Sequence, residues 1–138
     1  MEKRVGAIFL FDKNNRVLFQ LRDNKANISN PNMWVPPGGH AKKYEKIASC
    51  AKREFFEETR YICKNIKFIC NKKFNLKKLN TMRVYFYWEN YDHKQKIKCN
   101  EGQKAKFLSF QNFKKKNKPE YLLEIYRAVL KLKLKKEH

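Results

Sequence analysis

Hydrophobic positions follow two periods along this 138-residue chain, one near two and one near 3.6. Residues 4–11 form an apolar, strand-forming run, and the polar stretch Asp12-Lys13-Asn14-Asn15 reads as a turn. Residues 16–21 read as a second strand, so the two predict a hairpin. Residues 23–32 are a polar loop ending in Asn30-Pro31, and residues 33–35 a short strand running into Pro36-Pro37-Gly38-Gly39. Nothing between Lys46 and Thr59 breaks a helix, and Ile47, Ala48, Ala51 and Phe55 recur at helical spacing. Beyond it, residues 66–74 predict a strand of uneven pattern and residues 77–80 a turn. Residues 81–89 alternate well: Arg83, Tyr85, Tyr87 and Glu89 share one face, Val84, Phe86 and Trp88 the other. The apolar face is assigned to the core and the polar face to a cleft, where Tyr85 is a candidate to stack on a nucleobase. Residues 107–110 predict a last strand or turn, and residues 113–118 a basic linker. Pro119 then opens a helix with Tyr121, Leu122, Ile125, Ala128, Val129 and Leu132 on one stripe. The expected fold is α/β: a mixed sheet with helices packed on its faces, in a single domain over residues 1–138.

Composition sharpens this picture in two ways. Apolar residues are 42% of the chain and aromatics 14%, enough for a packed core despite the charge. The 33 basic residues against 13 acidic ones give a net charge of +20, which attracts polyanions. Nucleic acid and anionic membrane surfaces are such partners, and lysines merely filling exposed positions are the competing reading; in either case a basic surface favours encounter with small polyanionic substrates. Cys50, Cys63, Cys70 and Cys99 show no metal-ligand spacing and read as reduced thiols of an intracellular protein. The one apolar run near the N-terminus, residues 5–11, is too short to span a membrane. No membrane span and a cytoplasmic location are expected.

Candidate chemistry concentrates in the predicted helix. Glu54, Glu57 and Glu58 stand three and four residues apart and share one helical face beside the apolar stripe. Carboxylates so placed repel one another, and an all-oxygen cluster of high charge suits a hard divalent cation completed by phosphates and water. The competing reading is a solvated acidic face. Three of the four glycines fall at Gly38, Gly39 and Gly102, where a backbone free to approach a ligand is useful. Arg22, at the mouth of the loop after the second strand, is a candidate contact for substrate phosphate. Trp34 is assigned to the core, and His40 no role.

Gly39, Glu45, Arg53, Glu54, Phe55, Glu57 and Glu58, at these spacings, resemble the signature box of the Nudix hydrolases. More weakly, residues 17–22 (VLFQLR), 34–40 (WVPPGGH) and 101–110 (EGQKAKFLSF) resemble segments of MutT-like Nudix domains. The resemblance implies an α/β/α sandwich and a Mg²⁺- or Mn²⁺-dependent pyrophosphatase, a hydrolase of phosphorus-containing anhydrides acting on nucleotides. It implies metal binding by Glu57, Glu58, Glu54 and the Gly39 carbonyl, and a further glutamate from a late loop, for which Glu101 is the candidate. Glu54 is the first choice of general base, oriented by Arg53, with Glu101 able to exchange roles with it; Glu45 holds the arrangement. One position departs: the family has glycine where this chain has Arg60, and arginine in a left-handed closing turn costs roughly 1 kcal/mol. A different turn is therefore open there. The substrate read from size alone is a nucleoside triphosphate or related nucleoside diphosphate derivative. Capped RNA, dinucleoside polyphosphates, and a catalytically weak RNA-binding module of the same fold are the alternatives.

Overall fold

The computed structural model describes residues 2–136; Met1, Glu137 and His138, counted within the domain by sequence, lie outside the described residues. β1 (Glu2–Phe11) lies at the centre of a seven-stranded sheet because both of its faces are apolar. Ala7, Phe9 and Phe11 enter one core cluster, Ile8 and Leu10 the other. β6 (Thr81–Asn90) runs parallel to β1 over its whole length, from Glu2 opposite Thr81 to Phe11 opposite Asn90. β5 (Lys67–Asn75) adds antiparallel to β6, with a register irregularity between Phe68 and Cys70.

The other edge of β1 is divided. β2 (Val17–Leu21) returns through the predicted hairpin and meets β1 at Phe11–Val17. β4 (Gly38–His40), expected as loop, pairs antiparallel with Val5, Gly6 and Ala7. β2 in turn carries β3 (Trp34–Val35) and β7 (Lys104–Leu108), both antiparallel. The division leaves a notch between β2 and β4, and the polar chemistry collects there.

Helices cover both faces. α1 (Ile47–Thr59) packs Ala51 and Phe55 on Ile8, Leu10, Leu18 and Tyr87. It approaches closely because β1 has glycine beneath it: a Cβ on Gly6 would stand 2.9 Å from that of Ala51. On the opposite face α3 (Tyr121–Lys136) sets Tyr126 among Phe9, Phe11 and Phe19. The buried Tyr126 hydroxyl lies 2.9 Å from the Leu108 carbonyl and 2.8 Å from that of Asn15, so the ring brings its polar tip a partner.

Two expectations need correction. Residues 113–118 are not a plain linker: α2 (Phe110–Lys114) begins at Ser109, whose hydroxyl accepts from the Asn112 amide at 3.1 Å. Phe113 is fully buried and stacks on Phe19 at 3.9 Å between centroids. Lys118 follows, buried, donating to the carbonyls of Lys114 and Lys116 at the end of that helix. The second correction concerns β6. The face expected to be polar is not open: Tyr85 is half-buried, and Tyr87 and Glu89 are buried, Glu89 bordering a separate cavity with Tyr61, Lys64 and Asn65. Glu89 accepts from the amides of Lys64 and Asn65 at 3.0 and 2.6 Å, which fixes the chain leaving α1. Among the described residues, no helix is long and apolar enough to cross a membrane.

The buried Phe113–Phe19 stack predicts that Phe113→Ala lowers unfolding free energy by about 3–5 kcal/mol in urea titrations. Lys115→Ala, on the exposed side of the same segment, should change it by less than about 0.5 kcal/mol. Equal, small effects would mean that residues 110–118 behave as a linker after all.

Candidate active site

α1 starts and stops through side chains that belong to the site. No side chain caps its first turn. Instead Glu45 closes a turn one step earlier, accepting from the Lys42 amide at 2.9 Å while its own amide donates to the Lys42 carbonyl. At the far end Arg60 takes the left-handed conformation, φ 64°, and donates its amide to Phe56 at 2.7 Å. The closing turn is thus the one glycine would make, with the arginine guanidinium laid over the Phe56 ring, 5.3 Å from its centroid. The last carbonyls of a helix need outside donors. Here one loop supplies them: Asn100 Nδ2 donates to Glu57 O, Asn100 N to Glu58 O and Lys98 N to Thr59 O. That clasp brings the next residue, Glu101, alongside Glu58.

Arg53 is the hub of the acidic face. Its Nε and Nη2 donate to the two oxygens of Glu45 at 2.8 and 2.9 Å. Nη1 donates to Glu54 at 2.9 Å and to both oxygens of Glu57 at 3.2 and 3.3 Å, and Nη2 also reaches the His40 carbonyl at 3.1 Å. The planar fork suits such a set, because its donors point in fixed directions. Bonded to Arg53 and to the Lys42 amide, the Glu45 carboxyl is drawn down to about 2.

Glu58 behaves oppositely. It is buried, and loss of solvent pushes its pKa up to about 8; the amide of Gln20 works against that, and the charges of Glu101 and Glu54 add to it. Gln20 Nε2 donates to Glu58 Oε1. Glu58 Oε2 and Gln20 Oε1 are both buried without a partner. Glu54 lies flat on Gly39, where any Cβ would collide with its carboxyl group. The Gly39 carbonyl accepts from Cys50 Sγ at 3.4 Å.

Two cavities meet at this point. One, of about 310 Å³, runs from Gly39, Glu54 and Glu58 along an apolar wall that includes Val5, Val35, Met82, Val84 and Tyr121. The other, of about 450 Å³, is polar and lined by Gln20, Arg22, Asp23, Asn100, Glu101 and Gly102. Arg22, Glu58 and Glu101 border both. Arg22 is braced by a 2.7 Å bond from Nε to the Ser29 carbonyl.

Of the residues singled out by sequence, Gly39, Glu54, Glu58, Glu101 and Arg22 therefore come together at one cleft. Glu57 stands half-exposed at its rim, tied to Arg53, and Glu45 lies behind that guanidinium. Tyr85 does not join them; it packs on the α1 side with Ile8 and Leu10, while Tyr121 of α3 supplies the aromatic ring at the cleft. Sequence reasoning missed Gln20, Met82, Val84 and Tyr121. Gln20 alone left a trace, as the one polar residue inside the apolar run of β2. Among the described residues, no three His, Cys, Asp or Glu side chains form a ready cation cage. The donors nonetheless fit Mg²⁺ or Mn²⁺, which take one or two carboxylates and complete their shell with water and phosphate. The orphaned oxygen of Glu58 is an acceptor of the kind such an ion satisfies.

Comparison with known proteins agrees with this geometry. The family model described as NUDIX domain matches residues 2–129. A segment of 55 residues is 42% identical to the m7GpppN-mRNA hydrolase NUDT17 of Danio rerio, covering 40% of this chain. The matching segment is only 18% of that protein's length, and in the Bos taurus counterpart 17%. Among solved structures, a MutT protein of Methanosarcina mazei superposes with a TM-score of 0.78 at 16% identity, covering 91% of each chain. A MutT NUDIX hydrolase of Burkholderia pseudomallei gives 0.79 at 12% identity, over 94% of this chain and 98% of that one. A C. elegans Ap4A hydrolase gives 0.68 at 16%, over 93% and 96%. At these identities the superpositions establish a shared fold.

Glu45 supplies a pH test. Its folded pKa lies below the 4.5 of an unperturbed glutamate, so its contribution to stability is present above that value. The contribution is lost as pH falls toward about 2. Thermal melts of wild type and Glu45→Gln should therefore differ at pH 6 and converge on acidification through that window. A gap that stays constant with pH would show that the Glu45–Arg53 pair does not carry the difference.

Proposed function

Because this chain belongs to the NUDIX domain family, we propose that it is a divalent-metal-dependent pyrophosphohydrolase acting on a nucleoside diphosphate derivative. The observation that carries this reading is the meeting of Glu54, Glu58 and Glu101 in a cleft whose far wall is apolar and aromatic. The proposal treats residues 1–138 as one Nudix domain. It assigns the carboxylates of Glu54, Glu57 and Glu58, with Glu101 and the Gly39 carbonyl, to cation binding.

The difficulty of the reaction is electrostatic: the negative oxygens of a diphosphate repel an attacking hydroxide. Mg²⁺ or Mn²⁺ bound among these residues would neutralise phosphate charge and acidify a water. The protein's own groups do the rest. Arg53 holds Glu54 in place, and Glu54 takes the proton of the attacking water. Glu101, delivered by the Asn100 clasp, is the other carboxylate within the cleft able to exchange that role. Arg22, at the border of both cavities, receives substrate phosphate through the part of its fork not bonded to Ser29. Val5, Val84 and Tyr121 give the nucleoside an apolar seat.

A capped RNA is the second substrate reading. Two observations favour it: the +20 charge, suited to a phosphate backbone, and the local likeness to an m7GpppN-mRNA hydrolase.

The test is turnover with Mg²⁺ across nucleoside triphosphates, a dinucleoside tetraphosphate, ADP-ribose, a nucleotide sugar and a capped RNA. At least one should be cleaved, with loss on the order of 10³-fold in Glu57→Gln and in Glu58→Gln, since metal-borne charge stabilisation is worth several kcal/mol. A panel left untouched by wild type, together with salt-sensitive RNA binding, would replace the enzyme with a binding module.

A further inference from the structure

β2 reads Val17-Leu18-Phe19-Gln20-Leu21, and its first four residues are buried. Phe19 points into the cluster beneath α3, whereas Leu18 points into that beneath α1. By the two-residue period Gln20 continues the Leu18 column and comes up under the last turn of α1. Its backbone has no freedom, for it is paired with Val35 of β3 and with Ala105 of β7. Only 4% of the residue is exposed.

An apolar side chain would serve a strand better here. A buried amide is costly unless both of its ends are bonded. Gln20 has one bond, from Nε2 to Glu58 Oε1, and its Oε1 has none. Against an ionised Glu58 the reverse amide orientation would set two oxygens against each other. Beside it, Glu58 Oε2 is also orphaned. Two unsatisfied acceptors side by side fail as structural cement, but they suit a site whose donor arrives with the ligand: a cation and its water shell.

We propose that Gln20 is a positioning residue, whose buried amide pins one oxygen of Glu58 so that the other is presented to the bound cation. The inference rests on the metal-dependent reading above. It assigns Gln20 no contact with the scissile bond. Outer-shell partners of this kind typically change metal affinity or activity by about 10–100-fold when removed.

The experiment is Mn²⁺ binding to the full chain, followed by the EPR signal of free Mn²⁺, with melting in EDTA as the measure of folding. Wild type should bind, and Glu58→Gln should lose the site. Gln20→Met, close in volume but without a donor, should stay folded and bind Mn²⁺ about 10–100-fold more weakly. Gln20→Asn keeps the polarity but falls one methylene short; it should show the same loss and stands in if the Met variant fails to fold. In a Glu58→Gln background neither change should weaken binding further. Folded Gln20 variants with wild-type Mn²⁺ affinity would overturn the role of Gln20 and leave the metal reading standing. Wild-type affinity in Glu58→Gln would instead overturn the metal reading, and the role of Gln20 with it.

Discussion

The Arg53 guanidinium bonds Glu45, Glu54, Glu57 and the His40 carbonyl at once, and that fork decides how α1 sits on the sheet. Glu45 precedes the helix, His40 ends β4, and Glu54 and Glu57 are on the helix itself. One rigid cation therefore joins three segments, and it is arginine's five fixed donors that allow it. Without it, the carboxylates of the acidic face would repel one another and have no common direction. With it, Glu54 is pressed against Gly39, where only the absence of a Cβ leaves room.

Glu58 obeys a different constraint. It turns toward β2, where it is almost wholly buried at the meeting of the two cavities and the Gln20 amide bonds one of its oxygens. The same helix thus carries carboxylates in two electrostatic settings: Glu54 and Glu57, with Glu45 from the turn before it, surround a permanent cation, whereas Glu58 is buried with one oxygen unpartnered. The Asn100 loop adds a third contribution by donating to the helix carbonyls and setting Glu101 near Glu58. Capping, which every helix needs, here also delivers a residue to the cleft. The closing turn at Arg60 belongs to the same economy, because a left-handed residue there lets the chain turn away and frees the last carbonyls for the loop.

What could be read in the sequence was what depends on local spacing. The helix, its acidic face and the Gly39 approach all lie within about twenty residues, and the chemistry of each residue type allows few arrangements; that Arg53 would grip Glu45 as well as Glu54 was not expected from the sequence. Glu101 was legible only through family resemblance, since its place depends on hydrogen bonds to a helix forty residues earlier. Period-two alternation described β6 correctly, yet it cannot say which face is open. Tyr85 looks like a cleft residue because its face is polar, but it packs half-buried against the core cluster of Ile8, Leu10 and Phe55, away from the acidic cleft. Tyr121 was read as core because a helical stripe looks the same at the rim of a cleft as beneath it. Phe113 was hidden among lysines, and Gln20 among apolar neighbours, because a single residue cannot break a pattern. The left-handed Arg60 shows the reverse: the strain was foreseeable, but not that the turn would accept it.

The central claim is that the free oxygen of Glu58 binds the reaction's cation. The measurement that tests it most directly is the anomalous signal of Mn²⁺ in crystals grown with a non-hydrolysable nucleotide. The account predicts a peak at inner-sphere distance, about 2.1 Å, from Glu58 Oε2, with the Gln20 amide still on Oε1. A peak confined to the exposed rim at Glu57, with Glu58 uncoordinated beneath it, would contradict the account.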